Sequence, residues 1–326
     1  MQLYGTLPSG EKIYKFTLKS ALAEAEIISY GARIASFRPY GRDIVAGFEC
    51  LGGYMADKWF HGATVGRVCN RTVGAAFVMD GVRYELTKNN GENCLHGGSD
   101  NFSDKAWEVI SYTDSSVSLG YTAPDGQSGF PGEIRVIASF SLEGAALKIS
   151  YSATPNKKTP IMMTNHAYFN LEGFGTEVSS HLLRVWADEY IEISPERVPI
   201  GKRPLDGGAL DFRAPRAIGE RMGECPLGYD HNFVLCSGEV RDGLKLAAEI
   251  TAGDLKMRAY TDQPGVQFYV PRSQMKAPLR GGATLVPYGA FCLESQIEPN
   301  AAASGKCFVE AGEEYRSTTV FAVEKI

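Results

Sequence analysis

The run Thr164-Asn165-His166-Ala167-Tyr168-Phe169-Asn170-Leu171 sets an imidazole, a phenol and two amides among apolar residues. Tyr168 and Leu171 can anchor the run in a core, but packing has no need of His166. Imidazole is the side chain whose ordinary pKa, about 6.5, lets it give or take a proton near neutrality. Read alone, His166 is either a satisfied core histidine or a general acid or base. The run Gly289-Ala290-Phe291-Cys292-Leu293-Glu294-Ser295-Gln296 brings a carboxyl to the end of an apolar stretch. That puts Glu294 at the buried side of a strand, where an unpaired acid is costly, so a partner or a function is implied.

Three further runs carry polar groups. Gly66-Arg67-Val68-Cys69-Asn70-Arg71 offers two guanidinium groups and an amide, donors suited to hydroxyl or carbonyl oxygen, or else a strand end with surface arginines. Asn89-Asn90-Gly91-Glu92-Asn93-Cys94-Leu95-His96-Gly97-Gly98 holds His96 between a leucine and a glycine pair, where the backbone can turn sharply and approach a ligand. Gly228-Tyr229-Asp230-His231-Asn232-Phe233 places an acid beside a histidine ahead of a strand. Metal spacing is missing, with no H-E-x-x-H, no H-x-H and no paired cysteines. No G-x-S-x-G elbow, Walker A loop or dinucleotide loop occurs either, so neither a metal nor a cofactor is expected.

The elements that must hold these groups read as strands. Ile134, Val136, Ala138, Phe140 and Leu142 alternate with more polar neighbours, and Leu147, Ile149, Tyr151 and Ala153 do so after a turn at Glu143-Gly144. Period two over this length predicts half-buried antiparallel strands. Trp107 to Tyr112 and Val117 to Thr122 form another pair, and 233–236, 244–250, 257–261, 267–270 and 318–323 continue the pattern. Asp80-Gly81, between Phe77-Val78-Met79 and Val82-Arg83-Tyr84, is a strong hairpin signal, because the primed turn needs positive φ at both positions. Ser29 to Phe37 reads as one strand with a glycine bend, and Leu51 to Phe60 as a helical turn or two. A chain of 326 residues suggests about two domains by length alone. Without a linker, a repeat or long 3.6-period stripes, the expectation is one all-β domain over 1–326, a multi-sheet sandwich.

Composition narrows the function. The formal net charge of −5 comes without a basic stripe, which argues against nucleic acid. No apolar run approaches the roughly 18 residues of a membrane span. Seven widely spaced cysteines and no visible signal peptide predict reduced thiols and a cytoplasmic location.

Taken in order, G-R-V-C-N-R, N-x-x-L-H-G-G, N-H-A-Y-F-N-L, G-Y-D-H-N-F-V-L, Q-P-G-V-Q-F-Y and G-A-F-C-L-E-S-Q resemble the aldose 1-epimerases, or galactose mutarotases. The likeness runs from about Gly31 to the C-terminal strand. It implies a β-supersandwich and a monosaccharide substrate, with His166 as general acid and Glu294 as general base. It further implies that Asn70, Arg71, His96, Tyr168, Asp230 and Gln267 hold the sugar, while Arg67 is structural. Cys69, Glu92 and Cys94 depart from the residues usual at those positions, and Pro299 to Glu310 is shorter than in the family; these bear on the pocket rim and sugar preference.

The implied chemistry is ring opening. Glu294 removes the C1 hydroxyl proton, His166 protonates the ring oxygen, the C1–C2 bond rotates, and closure on the other face reverses both transfers. With ordinary pKa values, an ionised carboxylate and a protonated imidazole coexist from about pH 4 to 6.5. Asp230 is expected to raise the histidine and widen that window. The two groups must face each other across one pyranose. Three alternatives share parts of the pattern: a glycoside hydrolase using Glu294 and Asp230, a sugar-phosphate 1-epimerase, and a sugar-binding protein of the same fold.

Overall fold

Alternation becomes pairing wherever it is long. In the computed structural model, which describes residues 1–236, 238–274 and 278–326, Ile134–Glu143 pairs antiparallel with Ala146–Pro155 along its full length. Their apolar members are buried and the intervening residues mostly half-buried. Both belong to a ten-stranded sheet that also takes in Glu108–Tyr112, Ser116–Ala123, Tyr315–Lys325, Leu255–Thr261 and Leu244–Ala252. A four-stranded sheet (Gln2–Thr6, Lys12–Lys19, Ala23–Ile28, Arg33–Pro39) and a five-stranded sheet complete the main layers. The five-stranded order is Pro199–Pro204, Ala187–Ile193, Asp230–Leu235, Gly265–Tyr269, Cys292–Gln296.

One apolar cluster joins all three sheets. Val136, Ala138, Phe140 and Ile149 from the large sheet share it with Phe16, Ile27 and Phe37 from the four-stranded sheet and Phe233, Phe268 and Leu293 from the five-stranded one. Period-two strands bury one face because successive side chains point to opposite sides. A multi-sheet sandwich is the packing that hides several such faces together. The all-β expectation therefore holds.

The local expectations resolve differently. Ala76–Met79 and Val82–Glu85 form the hairpin, with Asp80 at φ 50° and Gly81 at φ 78°. The apolar run 51–60 contains one short helix, Leu51–Ala56. The stretch 29–37 is not one bent strand. Ala23–Ile28 pairs back on Arg33–Pro39, so Gly31 (φ 68°) reverses the chain instead of bending it. A Cβ at Gly31 would lie 2.3 Å from the Ser103 carbonyl oxygen, which a strand bend alone would not predict. Among the described residues, no helix is long and apolar enough to cross a membrane.

Candidate active site

The five-stranded sheet has one apolar face and one polar face. In its register Asn232 lies opposite Gln267, and Gln267 opposite Glu294. Two residues along, Asp230 lies opposite Tyr269, and Tyr269 opposite Cys292. The strand period puts all six side chains on one face. Phe233, Val266, Phe268 and Leu293 fill the other. A sheet face carrying this many polar groups needs a ligand, water or internal bonds to satisfy them.

A cleft of about 620 Å³ opens over this face. Its walls include Asp230, Tyr269 and Glu294 from the sheet, with His166, Tyr168, Asn70, Arg71 and His96 from neighbouring segments. Seven of the eight site residues expected from sequence thus meet in one place. Gln267 is the exception. It is 2 % exposed, and its amide donates to Asp230 Oδ1 at 2.8 Å, so it supports the carboxylate beneath the cleft wall.

His166 Nε2 lies 3.7 Å from Glu294 Oε1. The two groups stand side by side rather than on opposite sides of a space large enough for a sugar ring, which revises the sequence expectation. A hemiacetal permits this, because its hydroxyl oxygen and ring oxygen are bonded to the same carbon. The His166 ring is held by stacking on Tyr168, with centroids 5.0 Å apart. Tyr168 in turn stacks on His61 at 4.5 Å, and its hydroxyl donates to the Trp59 carbonyl oxygen at 2.9 Å. The phenol is therefore already bonded, and its part in the site is to brace the imidazole.

His96 and Asn70 hold each other. The Asn70 N–H donates to His96 Nδ1 at 3.2 Å, and the His96 N–H donates to the Asn70 carbonyl oxygen at 3.0 Å. Both residues adopt positive φ, 59° and 51°, which lets the two turns close on one another. With Nδ1 accepting, neutral His96 carries its proton on Nε2 and offers an N–H. Arg71 donates from Nε to Asn90 Oδ1 at 3.0 Å, and its Nη1 lies 3.8 Å from Asp230 Oδ2. Arg67, four residues earlier, is buried and donates to the Pro131 and Gly132 carbonyl oxygens and to Thr159 Oγ1, so it is structural.

His96, His166 and Glu294 each bring one donor atom within 4.8 Å of the others, a set that could hold a cation. The chemistry of the set speaks against it. A His96 nitrogen that carries a proton cannot ligate, and its other nitrogen is occupied by the Asn70 N–H. The grouping suits proton transfer better than metal binding.

Burial sets the protonation states. It pushes His166 down to about 4 and His96 well below its ordinary value, the latter helped by the neighbouring His166 and Arg71. It pushes the Glu294 carboxyl well above its ordinary value, with Asp230 adding to the rise and Arg71 opposing it. Burial would also raise Asp230, but Arg71 and Arg197 beside it prevail and hold it below its ordinary value. Burial therefore favours a carboxylic acid beside a neutral imidazole, the reverse of the expected ionised pair. Asp230 does pull His166 upward, but burial outweighs it. Glu294 Oε2 and Oε1 of Gln267, opposite in the register, are both buried without a hydrogen-bond partner among the described residues.

Several contributors escaped the sequence reading. Arg197 reaches Asp230 Oδ2 at 2.5 Å from the loop between Ala187–Ile193 and Pro199–Pro204. Trp59 and Phe60 wall the cleft from a loop after the short helix. No local pattern marks these three. Tyr269 and Cys292 were findable, since each lies two residues from a residue already singled out, Gln267 or Glu294.

A β-sandwich with a buried imidazole and carboxyl side by side at the base of a polar, sugar-sized cleft is the arrangement of a protein that binds a small polar molecule and can move protons on it. Residues 14–322 match the family model of aldose 1-epimerase, and the chain belongs to the aldose 1-epimerase family. It is 35 % identical to galactose mutarotase of Sus scrofa, over 98 % of this chain and 96 % of that protein. It is 31 % identical to aldose 1-epimerase of Escherichia coli K12, over 96 % of each. Solved structures share the fold at lower identity. An aldose epimerase homologue from C. elegans superposes with a TM-score of 0.89 at 23 % identity, covering 96 % of this chain and 99 % of that one. Galactose 1-epimerase from Lactobacillus acidophilus gives 0.88 at 22 %, covering 99 % and 97 %.

Proposed function

We propose that this enzyme interconverts the α and β anomers of free aldoses through one proton shared by His166 and Glu294. The observation that supports this most is the 3.7 Å approach of Nε2 to Oε1 inside the cleft. Glu294 takes the proton of the C1 hydroxyl while His166 delivers one to the ring oxygen. Opening leaves an aldehyde, a carboxylic acid and a neutral imidazole, the same proton arrangement that burial favours. Closure on the other face of the aldehyde runs both transfers backwards. His96 Nε2–H and Arg71 are donors for sugar oxygens and for the partial negative charge that develops on them. Asp230, ionised between two arginines, accepts from sugar hydroxyls.

The same contacts weigh against one rival: Asp230 is tied by Arg197 and Gln267, so it is a poor partner carboxylate for glycoside hydrolysis. Arg67 is consumed by backbone carbonyl groups and cannot meet a phosphate, while Lys58 and Arg272 line the cleft. We further propose that the chain works as a single domain, supported by the apolar cluster its three sheets share, and in the cytoplasm, supported by its seven free cysteines. Polarimetry of freshly dissolved α-glucose, α-galactose and α-arabinose tests the reading. Acceleration over buffer with at least one of them is expected, and none with any of them contradicts it.

A further inference from the structure

One contact of His166 has no part in the mechanism so far. Its Nε2 faces Glu294, and its other ring nitrogen, Nδ1, lies 3.6 Å from Cys292 Sγ. Both are buried. Cys292 and Glu294 lie two positions apart on the strand Cys292–Gln296, so the strand period turns them to the same face. A single strand thereby carries the carboxyl on one side of the imidazole and a thiol on the other. We propose that Cys292 is a positioning residue: its thiol holds Nδ1 so that only Nε2 exchanges protons with the substrate.

The other groups around the ring do not fill this role. His96 meets the ring edge-on at 5.3 Å, Tyr269 does so at 6.2 Å, and Tyr168 covers a face. Asp57 and His61 lie behind Tyr168, with Asp230 and Arg71 further across the cleft. None of these side chains hydrogen-bonds to Nδ1 among the described residues; besides the thiol, the ring is acted on by a bond to its own backbone, which raises it. A thiol suits both protonation states. Its S–H donates to a bare Nδ1 in the neutral imidazole, and its sulfur accepts from Nδ1–H in the imidazolium. Burial raises the Cys292 thiol well above its ordinary value, so the S–H persists as a donor.

The thiol also differs in kind from a carboxylate. His61 has a carboxylate, Asp57 Oδ1, at 2.9 Å from Nδ1; a carboxylate in contact with an imidazole is in general a partner that stabilises the charged ring. A neutral sulfur adds little such stabilisation, so a proton on His166 remains acidic enough to pass to a ring oxygen. The enzyme needs a proton donor at that position, and the partner across the ring decides how readily the proton leaves.

This inference rests on His166 being the proton donor of the proposed reaction, and the experiment separates the two. Cys292→Val fills the site without offering Nδ1 a partner, and Cys292→Ala is the second variant should Val crowd the site. Either should lower kcat by about three- to tenfold, the worth of one weak hydrogen bond, with little change in KM. The acid limb of the pH–rate profile should move to higher pH, because the neutral imidazole has lost the S–H donor to Nδ1. Nitrogen NMR should find His166 mainly protonated at Nε2 in the wild type and mixed between tautomers in the variants. A folded Val or Ala variant with wild-type kcat, pH limb and tautomer overturns the proposal. His166→Asn is run alongside: full activity there defeats the parent reading, whereas an inactive His166→Asn with an unaffected Cys292 variant defeats only this one.

Discussion

The two faces of the five-stranded sheet are made by the same strands and do opposite things. One face sends Phe233, Val266, Phe268 and Leu293 into the shared core, where burial needs no partner. The other holds Asp230, Gln267, Tyr269, Cys292 and Glu294 under the cleft, where each buried polar group is either bonded or left ready for substrate. The strand alternation that stabilises the first face is what aims the second. Stability and chemistry are therefore separable here by residue parity, and substitution of neighbouring residues should divide cleanly between them.

The largest effects should come from the polar face. Glu294→Gln keeps the shape of the side chain but cannot accept the hydroxyl proton; kcat should fall about 10²- to 10⁴-fold with the thermal midpoint near the wild-type value. His166→Asn should lose activity to a similar extent, again in a folded protein, and normal turnover in either variant removes that residue from its role. The apolar face should show the reverse. Phe268 is fully buried against Phe212 and Tyr229, and Phe268→Ala should cost about 3–5 kcal/mol in denaturant unfolding while activity per folded molecule stays near normal. Arg71→Ala should raise KM about ten- to hundredfold, as expected for the loss of charge-assisted hydrogen bonds, with a smaller fall in kcat. Gln267→Leu should give the smallest change, a rise in KM of about two- to tenfold as Asp230 loses one donor. A kcat collapse in Phe268→Ala at full folding, or a stability collapse in Glu294→Gln, would break the division between the faces.

Much of this was legible in the chain. Long alternation at 134–142 and 147–153 announced antiparallel strands, and Asp80-Gly81 announced its hairpin, because both depend on local backbone rules. His166 and Glu294 stood out because each places an ionisable group in an apolar setting. The stretch 29–37 misled, since a glycine that bends a strand and one that reverses it look alike until the partner strand is known. Gln267 was expected to hold the sugar, yet it lies beneath the cleft wall bonded to Asp230, because its face alone does not tell substrate contact from support. Arg197, Trp59 and Phe60 come from loops, which have no period to read. The protonation states were inverted for a physical reason: ordinary pKa values describe groups in water, and depth of burial is a property of the fold.

The shared proton is the centre of the account, and the pH dependence of kcat, corrected for the buffer rate, tests it most directly. The productive pair holds one proton. Below about 4 His166 gains a second and activity falls, while the upper limit is set by the raised carboxyl of Glu294 rather than by an ordinary imidazole. Activity should rise through about pH 4, and its upper limb should not be the titration of an ordinary imidazole near 6.5. A profile that declines through pH 6.5, with that upper limb moved by His166→Asn, would show the proton distributed the other way and contradict the account.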